Sequence, residues 1–298
     1  MRGSVILADV GGTWTRVGST HDPRRAPIFV ERTPGHVDAA LEVLGRGVAK
    51  AFAAEPSARQ VIIGVGGLVR RDGCVAASIY TPFSSINLKT FVEGEVGLAV
   101  RVENDVTLHY RGLPITPRLS LLISAGTGVG GAAGAVGRPL PDQSGYGGEF
   151  GHAYFGYGDE QCPCGRQGCI DLRLSGRRIA ARLGAGWFES LTAPAVAHDL
   201  ALSGYYFESV LTSLLRAYDP SAVFFAGSVF QTPQLRDSIS RSAERHWSKL
   251  RMLFVRDNWA VGLKAATRLA CEQTEERSNP WSVQFPNSAP LWPGDRHL

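Results

Sequence analysis

Two glycine-rich turns in the sequence have the residue types of phosphate-binding loops. The first joins Asp9 to Thr13 through two adjacent glycines, and the second reads Ser-Ala-Gly-Thr-Gly over residues 124–128. Because glycine has no Cβ, the backbone N–H groups of such turns can approach a phosphate, and threonine adds a hydroxyl donor. An aspartate at a strand end can also hold Mg²⁺. The sequence therefore predicts nucleotide contacts at Asp9, Gly11, Gly12, Thr13, Gly126, Thr127 and Gly128.

Either turn alone is also explained by a tight hairpin. Neither turn ends in the Gly-Lys-Ser/Thr of a P-loop, and the first leads into a predicted strand rather than the helix of a dinucleotide motif. Two such turns in different halves of one chain are more specific than one. They predict a cleft with one phosphate loop on each side.

Asn104 and Asp105 lie between the two turns in sequence. A hydroxyl that attacks a γ-phosphate gives up its proton, and an aspartate commonly accepts it. An aspartate of ordinary pKa, about 3.9, is a weak base, but a loose transition state tolerates late proton transfer. Asn104 also has the character of an N-cap for a helix over 105–112. The two roles are compatible, because the helix dipole favours the charged form of Asp105.

A cluster of cysteines follows a histidine in the middle of the chain. His152, Cys162, Cys164 and Cys169 form a Cys₃His set, which is a known ligand set of structural zinc. Four protein ligands leave no open position on the metal, so the sequence predicts a structural ion. Free thiols are the alternative, and an iron–sulfur cluster fits less well because one ligand is histidine and the spacing differs.

Strands that alternate with helices must position these residues, and this alternation indicates an α/β fold. The predicted strands cover residues 4–8, 14–19, 61–65, 98–102, 119–124, 222–226 and 253–255. The predicted helices cover residues 37–53, 105–112, 170–183, 207–218 and 259–270.

Length and composition limit the remaining possibilities. The chain has 298 residues, enough for about two domains, and 44% hydrophobic residues exclude a disordered chain. The net charge of +4 comes from scattered basic residues, so we expect no nucleic-acid partner. The longest apolar stretch, 61–69, is too short to span a bilayer, and the apolar run near residue 5 is too short for a signal peptide. We therefore expect a cytoplasmic protein without a membrane partner.

Together these motifs resemble the ROK (repressor, open reading frame, kinase) family of sugar kinases, within the actin-like ATPase superfamily. The most specific segments are Gly-Glu-Phe-Gly-His at 148–152 and Cys-x-Cys-Gly-x-x-Gly-Cys at 162–169. The resemblance implies two ribonuclease-H-like domains flanking a cleft. The predicted domains are residues 1–112, completed by the closing helix 259–271, and residues 113–258 with the zinc loop. Residues 274–298 are predicted to be an irregular tail.

The resemblance also implies an activity and its site. The expected protein is a homo-oligomeric (dimeric) kinase that transfers the γ-phosphate of ATP, with Mg²⁺, to the 6-hydroxyl of a glucose-like hexose. It implies that Asp105 is the general base and that adenosine lies near Gly227. The sugar contacts that it implies are Gly67, Asn104, Asp105, Glu149, His152 and Asp171. His152 would use one ring nitrogen for zinc and the other for the sugar.

The chain departs from the ROK pattern around the sugar. Gly66-Gly67 replaces a Pro-Gly pair, residues 80–83 read Tyr-Thr-Pro-Phe, and Asp171 replaces a glutamate. The shorter carboxylate, together with Asp105 and Glu149, leaves two substrates open: glucose, or an amino-glucose such as kanosamine.

Two other functions, and one other phosphate donor, are alternatives to an ATP-dependent kinase. A ROK transcriptional regulator needs a helix-turn-helix before the first turn, which here begins at residue 9, so we expect none. A catalytically inert sugar-binding or sensor protein is disfavoured by the intact Asp9, Thr13, Asp105 and Thr127. Polyphosphate remains open as a donor in place of ATP.

Overall fold

The computed structural model describes residues 4–22, 26–140, 148–154, 158 and 160–276. Two five-stranded sheets dominate it. The strands of the first sheet, in spatial order, are β3 (Phe29–Arg32), β2 (Trp14–Ser19), β1 (Ser4–Val10), β4 (Ala58–Val65) and β8 (Ala99–Asn104). The strands of the second sheet are β11 (Arg138–Pro139), β10 (Val129–Ala135), β9 (Ser120–Ala125), β12 (Ala222–Ala226) and β13 (Arg251–Phe254).

The two sheets share one topology. In each, an antiparallel meander of three strands continues through its first strand into two parallel strands. This repeated arrangement confirms the predicted α/β fold with two ribonuclease-H-like units. A small third sheet contains β5 (Leu68–Val69), β6 (Cys74–Ala77) and β7 (Ile86–Asn87).

Eight α-helices surround the sheets in the described part of the chain. They are α1 (Val37–Ala54), α2 (Leu88–Val96), α3 (Asp105–Gly112), α4 (Asp171–Leu174), α5 (Gly176–Leu183), α6 (Pro194–Tyr218), α7 (Pro233–His246) and α8 (Asn258–Glu276). None of the helices described here has the length and apolar character needed to cross a bilayer.

Strand β1 is apolar on both faces because its alternate side chains enter two different clusters. Ile6 and Ala8 belong to the core that α1 covers, whereas Val5 and Leu7 pack with Trp259 of α8. The closing helix therefore lies on the first sheet. The predicted domain boundary at residue 112 stays a prediction.

Helix α3 lies between the two sheets. Leu108 packs in a cluster with Leu7 of β1, whereas Val106 and Tyr110 pack in a cluster with Leu122 of β9. A helix in contact with both sheets is held in position from two sides. Its first residue is Asp105, so the predicted base occupies a rigid place between the two halves.

The structure corrects three predicted elements. The helix predicted over 207–218 is longer and begins at Pro194. The predicted helix 170–183 is interrupted at Ser175, whose backbone is extended, because the next N–H, of Gly176, donates to the carbonyl of Gly126 at 2.7 Å. The closing helix is longer than predicted and ends at Glu276, so residues 274–276 are helical rather than irregular. The rest of the predicted tail lies outside the described residues.

Candidate active site

The carboxyl ends of three parallel strands bring the candidate residues together. Val10 of β1 lies beside Val65 of β4, which in turn lies beside Asn104 of β8. The first phosphate turn, the Gly66-Gly67 pair and Asp105 each follow one of these strand ends. Side chains at this edge of a sheet face one crevice, which is where ligands bind in open α/β sheets.

Asn104 fixes the start of α3, as its sequence position predicts. Its Oδ1 accepts hydrogen bonds from the N–H groups of Val106 and Thr107, each at 3.0 Å. Its Nδ2 donates to the carbonyl of Gly67 at 3.1 Å. One side chain thus caps the helix that carries Asp105 and also holds the backbone of Gly67, which is a predicted sugar contact.

The surroundings of Asp105 make it a stronger base than an ordinary aspartate. Burial raises the pKa of its carboxyl group; His109, one turn along α3, lowers this pKa, and the negative charge of Asp9 raises it further. The Val106 N–H donates to Asp105 Oδ1 at 3.0 Å. Sequence reasoning did not single out His109, although its spacing of four residues places it on the same helix face.

We expect a corresponding pH dependence of activity. The predicted base acts only when deprotonated, so we expect kcat/KM for a sugar substrate to fall as the pH drops through the raised pKa of Asp105. The midpoint of this acid limb should lie above about 3.9, the ordinary value. His109→Gln removes a charge that lowers this pKa and should move the midpoint upward. If the acid limb is identical in the wild type and in His109→Gln, it instead reports the protonation of ATP.

The two phosphate turns meet across the crevice. The hydroxyls of Thr13 and Thr127 are hydrogen-bonded at 2.8 Å, although the residues are far apart in sequence. Gly227 directly follows β12 and lies against the backbone of Ala125, next to the second turn. The structure therefore brings together the residues predicted to bind the nucleotide: Asp9, Gly11, Gly12, Thr13, Gly126, Thr127, Gly128 and Gly227.

Asp9 is suited to a magnesium ion that accompanies ATP. Its carboxylate has 13% of its side-chain surface exposed and lies 3.8 Å from the guanidinium of Arg16. Carboxylate oxygen is a preferred ligand of Mg²⁺, and a single carboxylate is enough when the phosphates supply the other ligands.

The predicted zinc ligands converge. His152 Nδ1 lies 3.5 Å from Cys162 Sγ, and Cys164 Sγ lies 3.6 Å from Cys169 Sγ. All four ligand atoms lie within 4.8 Å of one another. Metal bonds of about 2.0–2.3 Å place tetrahedral ligands about 3.3–3.8 Å apart, so this Cys₃His set fits Zn²⁺. Burial raises the pKa of the Cys162 and Cys169 thiols, so a bound metal would have to displace their protons.

His152 lies between the cysteine cluster and Glu149. Its Nδ1 faces Cys162, and its Nε2 lies 3.6 Å from a carboxylate oxygen of Glu149. Burial lowers the pKa of His152, which favours the neutral ring that a metal ligand requires. The two ring nitrogens therefore face different groups, and the second nitrogen lies beside Glu149, a predicted sugar contact.

Asp171 is placed differently from the other predicted sugar contacts. Its side chain is buried, with the residue only 1% exposed, and its Oδ1 accepts the N–H of Val129 at 2.7 Å. Its Oδ2 accepts a hydrogen bond from the phenol of Tyr80. Both carboxylate oxygens are therefore hydrogen-bonded to groups of the protein. Sequence reasoning missed Tyr80 as a site residue, although its segment departs from the ROK pattern.

Known proteins of similar sequence include two sugar or cyclitol kinases. N-acetylmannosamine kinase of Citrobacter koseri is 29% identical over 60% of this chain and 63% of the relative. C(7)-cyclitol 7-kinase of Streptomyces hygroscopicus subsp. limoneus is 28% identical over 58% of this chain and 55% of the relative. This chain therefore spans less than two thirds of the length of these curated relatives.

A solved structure has a similar fold, and a sequence profile shows the family of this chain. A ROK family glucokinase from Streptomyces griseus, solved with glucose and AMPPNP, superposes with a TM-score of 0.78 at 24% identity. The match covers 91% of this chain and 100% of that one. The profile of the ROK family matches residues 8–253, which is more than half of the sequence. The chain therefore belongs to the ROK family.

Proposed function

We propose that this protein is an ATP-dependent sugar kinase that phosphorylates the 6-hydroxyl of glucose or of an amino-glucose such as kanosamine. The observation that carries the proposal is the place of Asp105, which begins a capped helix at the strand edge where the two phosphate turns meet. The kinase names of its relatives support the same reaction class.

The reaction divides among the residues of the crevice. The 6-hydroxyl oxygen forms a bond to the γ-phosphorus, the bond from that phosphorus to the β,γ-bridging oxygen breaks, and the electron pair leaves with ADP. The hydroxyl proton passes to the Asp105 carboxylate, whose raised pKa suits this role. Mg²⁺ bound with ATP neutralises phosphate charge, and Asp9 is the residue that would hold it.

The phosphate turns supply hydrogen-bond donors to the transferred group. The hydroxyls of Thr13 and Thr127 are hydrogen-bonded to each other, so both can donate to a bound phosphate only when this hydrogen bond breaks. Glu149 and His152 lie side by side and would orient the sugar hydroxyls. The crevice must be closed during the transfer, because water would otherwise compete with the sugar for the γ-phosphate.

A substrate panel tests the proposal. Coupled ADP release should be measured with glucose, mannose, glucosamine, N-acetylmannosamine and kanosamine. We expect sugar-dependent ADP release with glucose or with kanosamine. If glucose is preferred by about tenfold or more and Asp171→Glu leaves the ranking unchanged, the amino-sugar specificity is wrong. Sugar binding by calorimetry without any ADP release would favour the inert sugar-binding alternative.

A further inference from the structure

The start of helix α5 is docked against the second phosphate turn. The N–H of Gly176 donates to the carbonyl of Gly126 at 2.7 Å, and the N–H of Arg177 donates to the carbonyl of Thr127 at 3.3 Å. A Cβ added to Gly176 would lie 2.8 Å from the Gly126 carbonyl oxygen and 3.4 Å from Cγ2 of Val229. The first residues of α5 therefore adjoin both the turn predicted to bind phosphate and the segment after β12, where adenosine is predicted to bind.

The side chain of Arg177 lies beside the same turn. Its guanidinium carbon is 5.8 Å from the centre of the Tyr80 ring. That ring packs on the second turn, because a Cβ added to Gly128 would overlap it. The backbone of Tyr80 packs on the first turn, because its carbonyl oxygen would lie 2.7 Å from a Cβ added to Gly12. Arg177 therefore brings a positive charge next to a residue that touches both phosphate turns.

The two arginines at the start of α5 differ in what holds them. Arg178 forms an ion pair with Glu160, with a nitrogen–oxygen distance of 2.8 Å. Arg177 is exposed, and its guanidinium forms no ion pair or hydrogen bond with any other residue that the structure describes. Contact with an aromatic ring holds such a cation only weakly when the site is exposed. The five N–H donors of Arg177 are therefore suited to an external ligand.

The charges of the crevice indicate which ligand this is. Asp9 and Asp105 are close enough for the charge of Asp9 to raise the pKa of Asp105, and Arg16 lies 3.8 Å from the Asp9 carboxylate. A nucleotide adds several negative charges here, and Mg²⁺ offsets only part of them. A guanidinium binds phosphate oxygens through two parallel N–H donors. A phosphate group beside the second turn thus matches the chemistry of Arg177.

We propose that Arg177 is a nucleotide-binding residue whose guanidinium donates hydrogen bonds to phosphate oxygens of the donor, beside the second phosphate turn. This inference rests on the proposed function, which supplies the anionic donor. The ligand class is a nucleoside diphosphate or triphosphate. A nucleoside without phosphate gains nothing from Arg177.

Arg177→Gln is the central test, because it removes the charge and the paired donors from an exposed position. The purified full chain is titrated, in the presence of Mg²⁺, with ADP, with a non-hydrolysable ATP analogue and with adenosine. We expect the dissociation constants of ADP and of the analogue to rise roughly tenfold or more, because hydrogen bonds to a charged group are lost. The dissociation constant of adenosine should stay within about twofold of the wild type. Arg177→Lys should lose less affinity than Arg177→Gln, because lysine keeps the charge but not the paired donors.

Arg216→Gln is the matched control, because Arg216 is an exposed arginine in the last turn of α6. It should bind all three ligands with wild-type affinity. In both glutamine variants, KM for the sugar at saturating ATP should stay within about twofold of the wild type. Thermal melting of each variant separates a folding defect from a binding defect.

Three results would overturn the inference. If Arg177→Gln binds ADP and the analogue as tightly as the wild type, the arginine does not contact phosphate. If its affinity for adenosine falls by the same factor, the arginine supports the nucleoside site or the fold instead. If only KM for the sugar rises, Arg177 acts at the sugar.

Failure of the proposed function gives a different result. A wild-type protein that shows the expected dependence on Arg177 but phosphorylates no sugar of the panel overturns the proposed function and leaves this inference intact. A wild-type protein that binds neither ADP nor the ATP analogue overturns both.

Discussion

Replacing Asp105 by asparagine is expected to lower kcat by about 10²–10⁴-fold while sugar binding survives in part. The amide keeps the shape of the side chain but cannot accept the proton of the attacking hydroxyl. The helix should remain intact, because the cap of α3 comes from Asn104 and not from Asp105. The measurements are coupled ADP release for kcat and calorimetry for the dissociation constant of the sugar.

Asp237→Asn is a matched control for this variant, because it makes the same chemical change at an exposed position on α7. It should leave both kcat and sugar affinity at their wild-type values. An Asp105→Asn protein that keeps more than about a tenth of the wild-type kcat would show that another group accepts the proton. His109→Gln provides a second comparison, since it alters the surroundings of Asp105 without removing its carboxylate.

The second large effect is expected from the zinc loop. Purified wild-type protein should contain one Zn²⁺ per chain, and Cys164→Ala should lose most of it. Because binding energy at a structural zinc site is also folding energy, the melting temperature should fall by several degrees or more. Activity should fall as well, since His152 lies between the cluster and Glu149. Metal analysis, thermal melting and ADP release measure the three effects.

Cys74→Ala is the control for the loss of a thiol, because Cys74 lies in β6 and outside the four-residue cluster. It should keep the zinc content and the activity of the wild type. Wild-type protein that is purified without chelators and contains no zinc would contradict the assignment of the cluster. Zinc retained in full by Cys164→Ala would exclude Cys164 as a ligand.

Helix α3 shows which features of the site depend on neighbouring residues and which depend on tertiary packing. The N-cap at Asn104 was predictable, because capping is an interaction between a side chain and the two or three residues that follow it. The raised pKa of Asp105 was not predictable, since it depends on burial between two sheets and on Asp9, which is distant in sequence. The sequence thus predicts which residue is the base, and packing determines the pKa of that residue.

The helix predicted over 170–183 shows the opposite case. Most of its residues have ordinary helical character, and the only local signal for a break is the Ser175-Gly176 pair. The break follows from a hydrogen bond between Gly176 and the second phosphate turn, which lies about fifty residues earlier in the chain. Tertiary contacts of this kind commonly override local propensity.

The sequence by itself determined the features that depend on residue type, or on ligands and hydrogen bonds within a short segment. These are the glycine turns, the capped aspartate and the Cys₃His set, which together identified the family. Only the tertiary structure decided that Tyr80 bonds Asp171 and that Thr13 meets Thr127. Such pairs join residues that are far apart in the chain, and they form only because two sheets of the same topology face one crevice. No periodicity or spacing in the sequence predicts these two contacts.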